Sequence, residues 1–258
     1  MTQFVCLSGL PRSGSTILSA ILNQNPLIHA EGNSAVCQLI YDMYNSFNNC
    51  NEQIKANNRD HTIVDLISAI PKIYYKDVQD TKSIIVDKCR SWTINMNVEL
   101  LKTYIDPNIK IIVLERSVTD IVKSFMKLYK KNNWSKDKIH EVLTSILMPN
   151  VEPIMRSLNG INMAKNNNND NTFLFIKYDN LISNPKENID RIYKFCNWKP
   201  FTHDFNNIIN VHPENDDFYN LEGFHDIRKV LSKEKNNITL PIDIMDKCIQ
   251  IDKQNGYL

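Results

Sequence analysis

The residues of this chain best suited to chemistry lie at 4–18, where an apolar run is followed by a turn of small residues and a helical pattern. This layout is typical of a strand that delivers a phosphate group to a helix N-terminus, because free backbone N–H groups and the helix dipole bind anions there. Gly9, Gly14 and Thr16 match the pattern G-x-x-x-x-G-K-[ST], but Ser15 occupies the lysine position and the nearby cation is Arg12. The segment therefore predicts a phosphate site built around an arginine.

The missing lysine argues against ATP chemistry, because P-loop nucleotide hydrolases use it to neutralise the β- and γ-phosphates. The sequence 12–16 after an apolar run resembles instead the loop of sulfotransferases that use 3′-phosphoadenosine-5′-phosphosulfate (PAPS), and the wider stretch 10–26 resembles their bacterial and phage members. The resemblance implies that Arg12 grips the 5′-phosphosulfate and acts in catalysis. It also implies that backbone amides hold this group, those of Ser13, Gly14, Ser15 and Thr16.

A second motif lies at 111–125, where Arg116 follows an apolar run and Ser124 comes two helical turns later. Both side chains are expected at the rim where open α/β sheets bind ligands, and the guanidinium fork suits a phosphate. The segment resembles the 3′-phosphate motif of the sulfotransferases. This implies that Arg116 and Ser124 hold the 3′-phosphate of PAPS.

Two further segments resemble the family. Tyr178 follows the run 173–177 as a tyrosine does in the family's Tyr-Glu-Asp-Leu motif, which implies contact with adenine. The segment 219–229 resembles a Tyr-x-Leu-x-Gly-Leu-His-x-Ile-Arg segment of bacterial relatives and stands where cytosolic sulfotransferases close an Arg-Lys-Gly loop over the 3′-phosphate. This implies that Arg228, and less directly Lys229, adds charge there. The alternatives are rim packing for Tyr178 and a solvated pair for the two cations.

The catalytic base has several candidates. Sulfuryl transfer to an alcohol needs a group that accepts the acceptor's proton. The segment 84–92 lacks the histidine that cytosolic sulfotransferases carry at this point, and Asp87 is the carboxylate closest to that position, although it could instead pair with Arg90. Glu31 lies near the position of the glutamate that protein-tyrosine sulfotransferases use. His29 is the third candidate.

A parallel sheet is needed to place these residues together. Apolar runs rich in β-branched residues predict four buried strands, and helical patterns lie between them. Strands that alternate with helices predict the α/β class: a single P-loop-type domain over 1–258, with a central parallel sheet flanked by helices. The predicted strands are 4–8, 84–87, 109–114 and 173–177, and the predicted helices are 15–25, 118–130 and one that Asn184 caps.

Two asparagine-rich stretches, 45–51 and 166–171, predict solvated loops, because polar tracts bury little surface. The family resemblance implies an acceptor pocket made by variable loops such as 33–80 and 132–170. The acceptor itself, a small molecule, saccharide or peptide, is left open, as is the oligomeric state.

Composition indicates which partners, metals and location to expect for the chain. A formal net charge of +1 over 258 residues gives no global field for nucleic acid or a membrane surface. The six cysteines form no C-x-x-C pair, which indicates reduced thiols rather than a zinc site, and no metal is expected. With an apolar strand at its start and no bilayer-length apolar run, the chain is expected in the cytoplasm.

Two other functions compete. A nucleoside or small-molecule kinase is suggested by the run 84–87, which ends in an aspartate like one that holds Mg²⁺. A non-catalytic nucleotide-binding protein would keep the phosphate sites and lack a base.

Overall fold

The computed structural model describes residues 2–168, 170–232 and 237–258. Five strands form one parallel sheet in the order β2-β3-β1-β4-β5. Because the chain leaves β1 for the β2 edge and later adds β4 on the other side, the topological switch point lies at β1, where open α/β sheets bind ligands. The strands are β1 Gln3–Gly9, β2 Ile28–Asn33, β3 Ile84–Lys88, β4 Lys110–Glu115 and β5 Phe173–Lys177.

Helices pack on both faces of this sheet. Ile111 and Val113 of β4 belong to one core, while Ile112 and Leu114 belong to the other, as expected for a strand buried on both sides. The α-helices in the described residues are α1 Ser15–Leu22, α2 Val36–Asn49, α3 Asn51–Ala56, α4 Thr62–Tyr74, α5 Lys76–Gln79, α6 Asn95–Tyr104, α7 Val118–Lys131, α8 Lys136–Ser145, α9 Met155–Asn166, α10 Tyr178–Ser183, α11 Pro185–Phe195 and α12 Ile242–Gln254.

The predicted α/β class with a central parallel sheet is confirmed, and each of the four predicted strands is present. The sequence missed β2, because its second half is polar and exposed although Ile28, His29 and Ala30 are buried. Helix α1 ends at Leu22 rather than at residue 25. Asn184 and Pro185 do begin α11, but the Asn184 side chain makes no capping hydrogen bond.

The loop prediction for 45–51 is wrong, because α2 and α3 cover all of it except Cys50. Buried Val36, Cys37 and Ile40 hold α2 by one face, so its asparagines are tolerated on the other. The second stretch, 166–171, begins with the last residue of α9 and continues without helix or strand, with residue 169 outside the described residues. The expected loops 33–80 and 132–170 are largely helical, spanning α2–α5 and α8–α9.

Candidate active site

A cavity of about 440 Å³ opens over the carboxyl ends of the strands. Its walls come from the loop after β1, the ends of β3 and β4, helix α7, the start of α10 and the segment 223–232. Among the described lining residues Asp226 is the acidic one, whereas seven are cationic. These are Arg12, Lys88, Arg90, Arg116, Lys127, Lys131 and Arg228. The nearly neutral chain thus concentrates positive charge in one concave site.

The loop after β1 has a backbone shaped to expose its amides. Arg12 has φ of 57° and Gly14, the N-cap of α1, has φ of 92°. Ser13 is fully buried and its hydroxyl donates to the carbonyl of Leu10, so its side chain is used within the loop. The cavity is lined by Gly14, Ser15 and Thr16, whose position at the start of a helix leaves backbone N–H groups for an anion.

The Arg12 side chain crosses the cavity toward α7. Its Nε donates to the Oγ of Ser124 over 3.0 Å, and its Nη1 donates to the carbonyl of Phe224. Its guanidinium also lies 5.5 Å from the centre of the Phe224 ring. Burial, and then the charge of Arg116, lower the pKa of the Arg12 guanidinium. An anion between the two arginines would relieve both effects.

Arg116 follows β4 and connects three elements. Its Nη1 donates to the backbone carbonyl of Arg12 over 2.7 Å, and its guanidinium lies 4.2 Å from the centre of the Tyr178 ring. Its Nε is buried and has no hydrogen-bond partner among the described residues. Tyr178 also touches Gly14 so closely that a Cβ there would lie 2.8 Å from the ring. The structure therefore brings Arg12, Arg116, Ser124 and Tyr178 together at one end of the cavity.

Arg228 lines the same cavity from the segment 223–232, and its Nη1 donates to the hydroxyl of Ser232 over 3.2 Å. Lys229 is exposed and does not line the cavity; its carbonyl accepts from the backbone of Ile208.

Asp87 lies away from the cavity. It is fully buried, does not line the wall, and accepts hydrogen bonds from the Tyr75 hydroxyl at 2.8 Å and the Trp92 indole at 2.7 Å. Its hydrogen-bond partners thus include Tyr75 and Trp92, together with the Ser34 side chain, rather than Arg90. Burial raises the pKa of its carboxyl, although these hydrogen bonds oppose that rise. The carboxylate is therefore buried in the core that contains Tyr75 and Trp92.

Glu31 lies in a neighbouring recess that His212 and Glu214 also line. Its Oε2 is 3.1 Å from the Nε2 of His29, which is buried and does not line the main cavity. Neither Glu31 nor His29 lines the cavity that contains Arg12.

His225 lines the cavity and was missed as a base candidate. Its Nδ1 is 2.6 Å from Asp216 Oδ1, and its Nε2 is 3.3 Å from Glu214 Oε2. The same oxygen of Glu214 accepts from the Nζ of Lys88 over 3.0 Å. Burial alone would raise the pKa of Glu214, but Lys88 and His225 hold it below its usual value. The sequence signal was the histidine within 219–229, which motif reasoning used only to place Arg228.

Metal-ligating side chains and thiols are scattered in the described part of the chain. There, no group of three or more His, Cys, Asp or Glu side chains is arranged to hold a metal ion, and all six cysteines are free thiols. No described helix combines the length and apolar character needed to cross a membrane.

Comparison with known proteins gives one family match and several similar folds. The model of the Sulfotransferase family matches residues 5–203. Similar solved structures include the sulfotransferase domain of the Synechococcus PCC 7002 olefin synthase (16% identity, TM-score 0.62, 100% of this chain and 96% of that one). Another is the sulfotransferase domain from the curacin biosynthetic pathway (15%, TM-score 0.61, 100% and 98%). A third is a sulfotransferase from Alicyclobacillus acidocaldarius (11%, TM-score 0.55, 84% and 87%). No curated protein sequence matches the chain.

Proposed function

The chain belongs to the sulfotransferase family, and from that membership we propose that it transfers a sulfuryl group from PAPS to a hydroxyl or amine of an acceptor. The observation that carries this proposal is the convergence of Arg12, Arg116 and Ser124 in one cationic cavity at the end of β1. We propose a cytoplasmic enzyme whose acceptor is a small molecule, saccharide or peptide, with no nucleic acid or membrane as partner.

The residues present fit a bisphosphorylated donor. The amides of Ser13 to Thr16 would hold the 5′-phosphosulfate at the start of α1. Arg116, whose buried Nε has no hydrogen-bond partner among the described residues, and Ser124 would hold the 3′-phosphate, and Arg228 would add charge from the segment 223–232. Tyr178 presents an aromatic ring beside them for adenine.

Arg12 would act on both phosphate groups, because its backbone lies in the loop and its guanidinium contacts Ser124. During transfer, the bond from sulfur to the bridging oxygen breaks and negative charge builds on the 5′-phosphate. The guanidinium of Arg12 and the loop amides would stabilise that charge without moving far.

His225 is the base that the geometry supports. Because its Nδ1 makes the shorter contact, to Asp216, its Nε2 is the nitrogen that would take the acceptor's proton as the new oxygen–sulfur bond forms, and the acceptor's hydroxyl would reach it beside Glu214, whose Oε2 lies 3.3 Å away. Glu214 would stabilise the imidazolium that results. Asp87 and Glu31 do not line the cavity, so either would act only by positioning its neighbours.

A kinase is the main alternative, and the position of Asp87 counts against it. Tyr75 and Trp92 enclose the carboxylate that would hold Mg²⁺ in such an enzyme. A binding protein without turnover would keep the arginines and be separated from an enzyme by an acceptor screen with labelled PAPS.

Ligand-induced thermal stabilisation tests the donor site. At equal concentrations, 3′,5′-adenosine bisphosphate should raise the melting temperature more than ATP, because Arg116 and Ser124 are placed for a 3′-phosphate that ATP lacks. Arg116→Ala should weaken bisphosphate binding about 10- to 150-fold, the equivalent of losing charge-assisted hydrogen bonds. Arg156→Ala, an exposed arginine outside the cavity, is the matched control and should behave like the unmodified protein. A larger shift with ATP would favour the kinase.

A further inference from the structure

The β3 end of the cavity holds a second arginine whose charge is incompletely paired. Arg90 begins the short 3-10 helix Arg90–Thr93 after β3 and lines the cavity. Its carbonyl accepts from the Ser8 hydroxyl over 2.8 Å, which fixes its backbone against β1. Its side chain therefore starts from a rigid point at the centre of the sheet.

The guanidinium of Arg90 makes a long ion pair with a carboxylate. Its Nε is buried and makes no hydrogen bond to the described residues. The carboxylate that pairs with it, Glu152, is 3.7 Å from this Nε, beyond good hydrogen-bond length, and also faces Arg156 at 4.0 Å and the Ser157 hydroxyl at 3.2 Å. Lys88, by contrast, makes a 3.0 Å hydrogen bond to Glu214. A bound oxyanion would accept the hydrogen bond from the Arg90 Nε that Glu152 is too distant to accept.

The position of Arg90 suggests which substrate brings that anion. Arg116 and Ser124 follow β4 and Tyr178 follows β5, on one side of β1, where the donor's 3′-phosphate and adenine are proposed to bind. Arg90 follows β3 on the other side of β1. His225 is also linked to this second side, because the Glu214 carboxylate beside its Nε2 accepts from Lys88 at the end of β3. The space near Arg90 is therefore where the acceptor would bind.

We propose that the acceptor carries an oxyanion, a carboxylate or a phosphate ester, that Arg90 binds while the acceptor's hydroxyl faces His225. The proposal rests on the proposed function and narrows its substrate class to anionic alcohols or phenols. Arginine suits this role because its planar fork donates two parallel hydrogen bonds to either oxyanion, and it keeps its charge when partly buried.

Matched acceptor pairs test the proposal. We would measure kcat/KM with PAPS for 4-hydroxyphenylacetate against 4-hydroxyphenylacetamide, and for glucose 6-phosphate against glucose, which separates carboxylate from phosphate. Binding of each compound to the protein loaded with 3′,5′-adenosine bisphosphate would be followed by calorimetry. The anionic member of at least one pair should be preferred by about tenfold or more. Arg90→Gln should reduce that preference to near unity.

Two further variants provide a control and a second test of the proposal. Arg156→Gln removes the other arginine facing Glu152 without touching the cavity, and should keep the preference. Glu152→Gln removes the competing carboxylate and should lower KM for the anionic acceptors. Equal loss of kcat for both members of a pair in Arg90→Gln would assign Arg90 to the sulfuryl group and overturn the proposal. Absence of preferred binding of either anionic member would also overturn it.

The donor assay separates this failure from failure of the proposed function. If 3′,5′-adenosine bisphosphate still stabilises the unmodified protein, the donor site stands and only the acceptor class is wrong. If the bisphosphate has no effect, the proposed function itself fails.

Discussion

His225 and Asp87 lie near the same end of the sheet in very different surroundings. His225 faces the cavity with Asp216 behind its Nδ1, so a proton arriving at Nε2 has stabilising neighbours. Asp87 faces the core, and its oxygens accept from Tyr75 and Trp92. Asp87 lies within β3, where successive side chains alternate between the two faces of the sheet, whereas His225 belongs to the segment 223–232 that lines the cavity.

Replacing His225 with asparagine should reduce kcat by about 10²–10⁴-fold, the usual range for removing a general base. Affinity for 3′,5′-adenosine bisphosphate should change little, because the donor phosphates are proposed to bind to Arg12 and Arg116. The measurements are steady-state kinetics with PAPS and thermal shift with the bisphosphate.

Asp87→Asn and Glu31→Gln are the comparison variants for this prediction. Both residues lie outside the cavity lining, so each should retain most of kcat in a protein that still folds. A folded Asp87→Asn protein that lost as much kcat as His225→Asn would return the role of base to Asp87.

The proximity of the residues proposed to bind phosphate could be predicted from sequence, because it depends on local spacing. Gly14 and Arg12 lie in one loop, and Arg116 and Ser124 lie within one strand end and helix. The surroundings of His225 could not be predicted, because Lys88 is far from Glu214 in sequence and only the fold joins them.

At the scale of elements, α7 depends on α12. Asp252 of α12 is fully buried and accepts from the backbone of Val118 at 2.6 Å and of Thr119 at 3.0 Å, the first residues of α7. Its carboxylate also accepts from the Thr119 hydroxyl. A negative charge at a helix N-terminus satisfies free amides and the helix dipole. Through α7, this contact supports Ser124.

Asp252→Ala should lower the free energy of unfolding by about 2–4 kcal/mol, because it removes several charge-assisted hydrogen bonds and leaves buried amides unpaired. Binding of 3′,5′-adenosine bisphosphate should weaken with it. Asp243→Ala lies in the same helix but is exposed and contacts His140, so it should melt close to the unmodified protein. Denaturant unfolding measures both; equal stability of the two variants would contradict the capping role.

Strands could be predicted from the sequence where burial requires a run of apolar residues. The apolar runs of β3 and β4 are buried almost throughout, and those of β1 and β5 are apolar along most of their length, so each was recognisable alone. The edge strand β2 ends in exposed polar residues, and its pairing with β3 through Ile28–Ala30 is visible only in the fold.

At the scale of the molecule, a formal net charge of +1 coexists with a strongly cationic cavity. Lysine and arginine on one rim, balanced by acidic residues elsewhere, give local attraction for a multiply charged donor without general affinity for polyanions. The sequence predicted the absence of a global field, while the concentration of charge depends on how five strand ends meet.

Turnover should continue in EDTA, because arginines and amides supply the positive charge that Mg²⁺ supplies to a kinase. Activity with PAPS should remain within about twofold of the untreated rate, a change small beside the effects of removing catalytic charge. The measurement compares rates with EDTA and with added Mg²⁺. Loss of turnover on chelation, reversed by Mg²⁺, would contradict the mechanism.

The backbone angle of Arg12 also has a consequence for how the protein can evolve. In the described residues, every other non-glycine position with a left-handed φ is an asparagine, a residue that tolerates this conformation well. Asparagine and glycine adopt such a backbone at little cost. At position 12 the chain carries an arginine in this conformation, at some cost in folding stability, and this is the residue proposed to bind the phosphosulfate. In a related protein that no longer needs this function, position 12 would be expected to change early, to a residue such as asparagine or glycine that adopts this φ at lower cost.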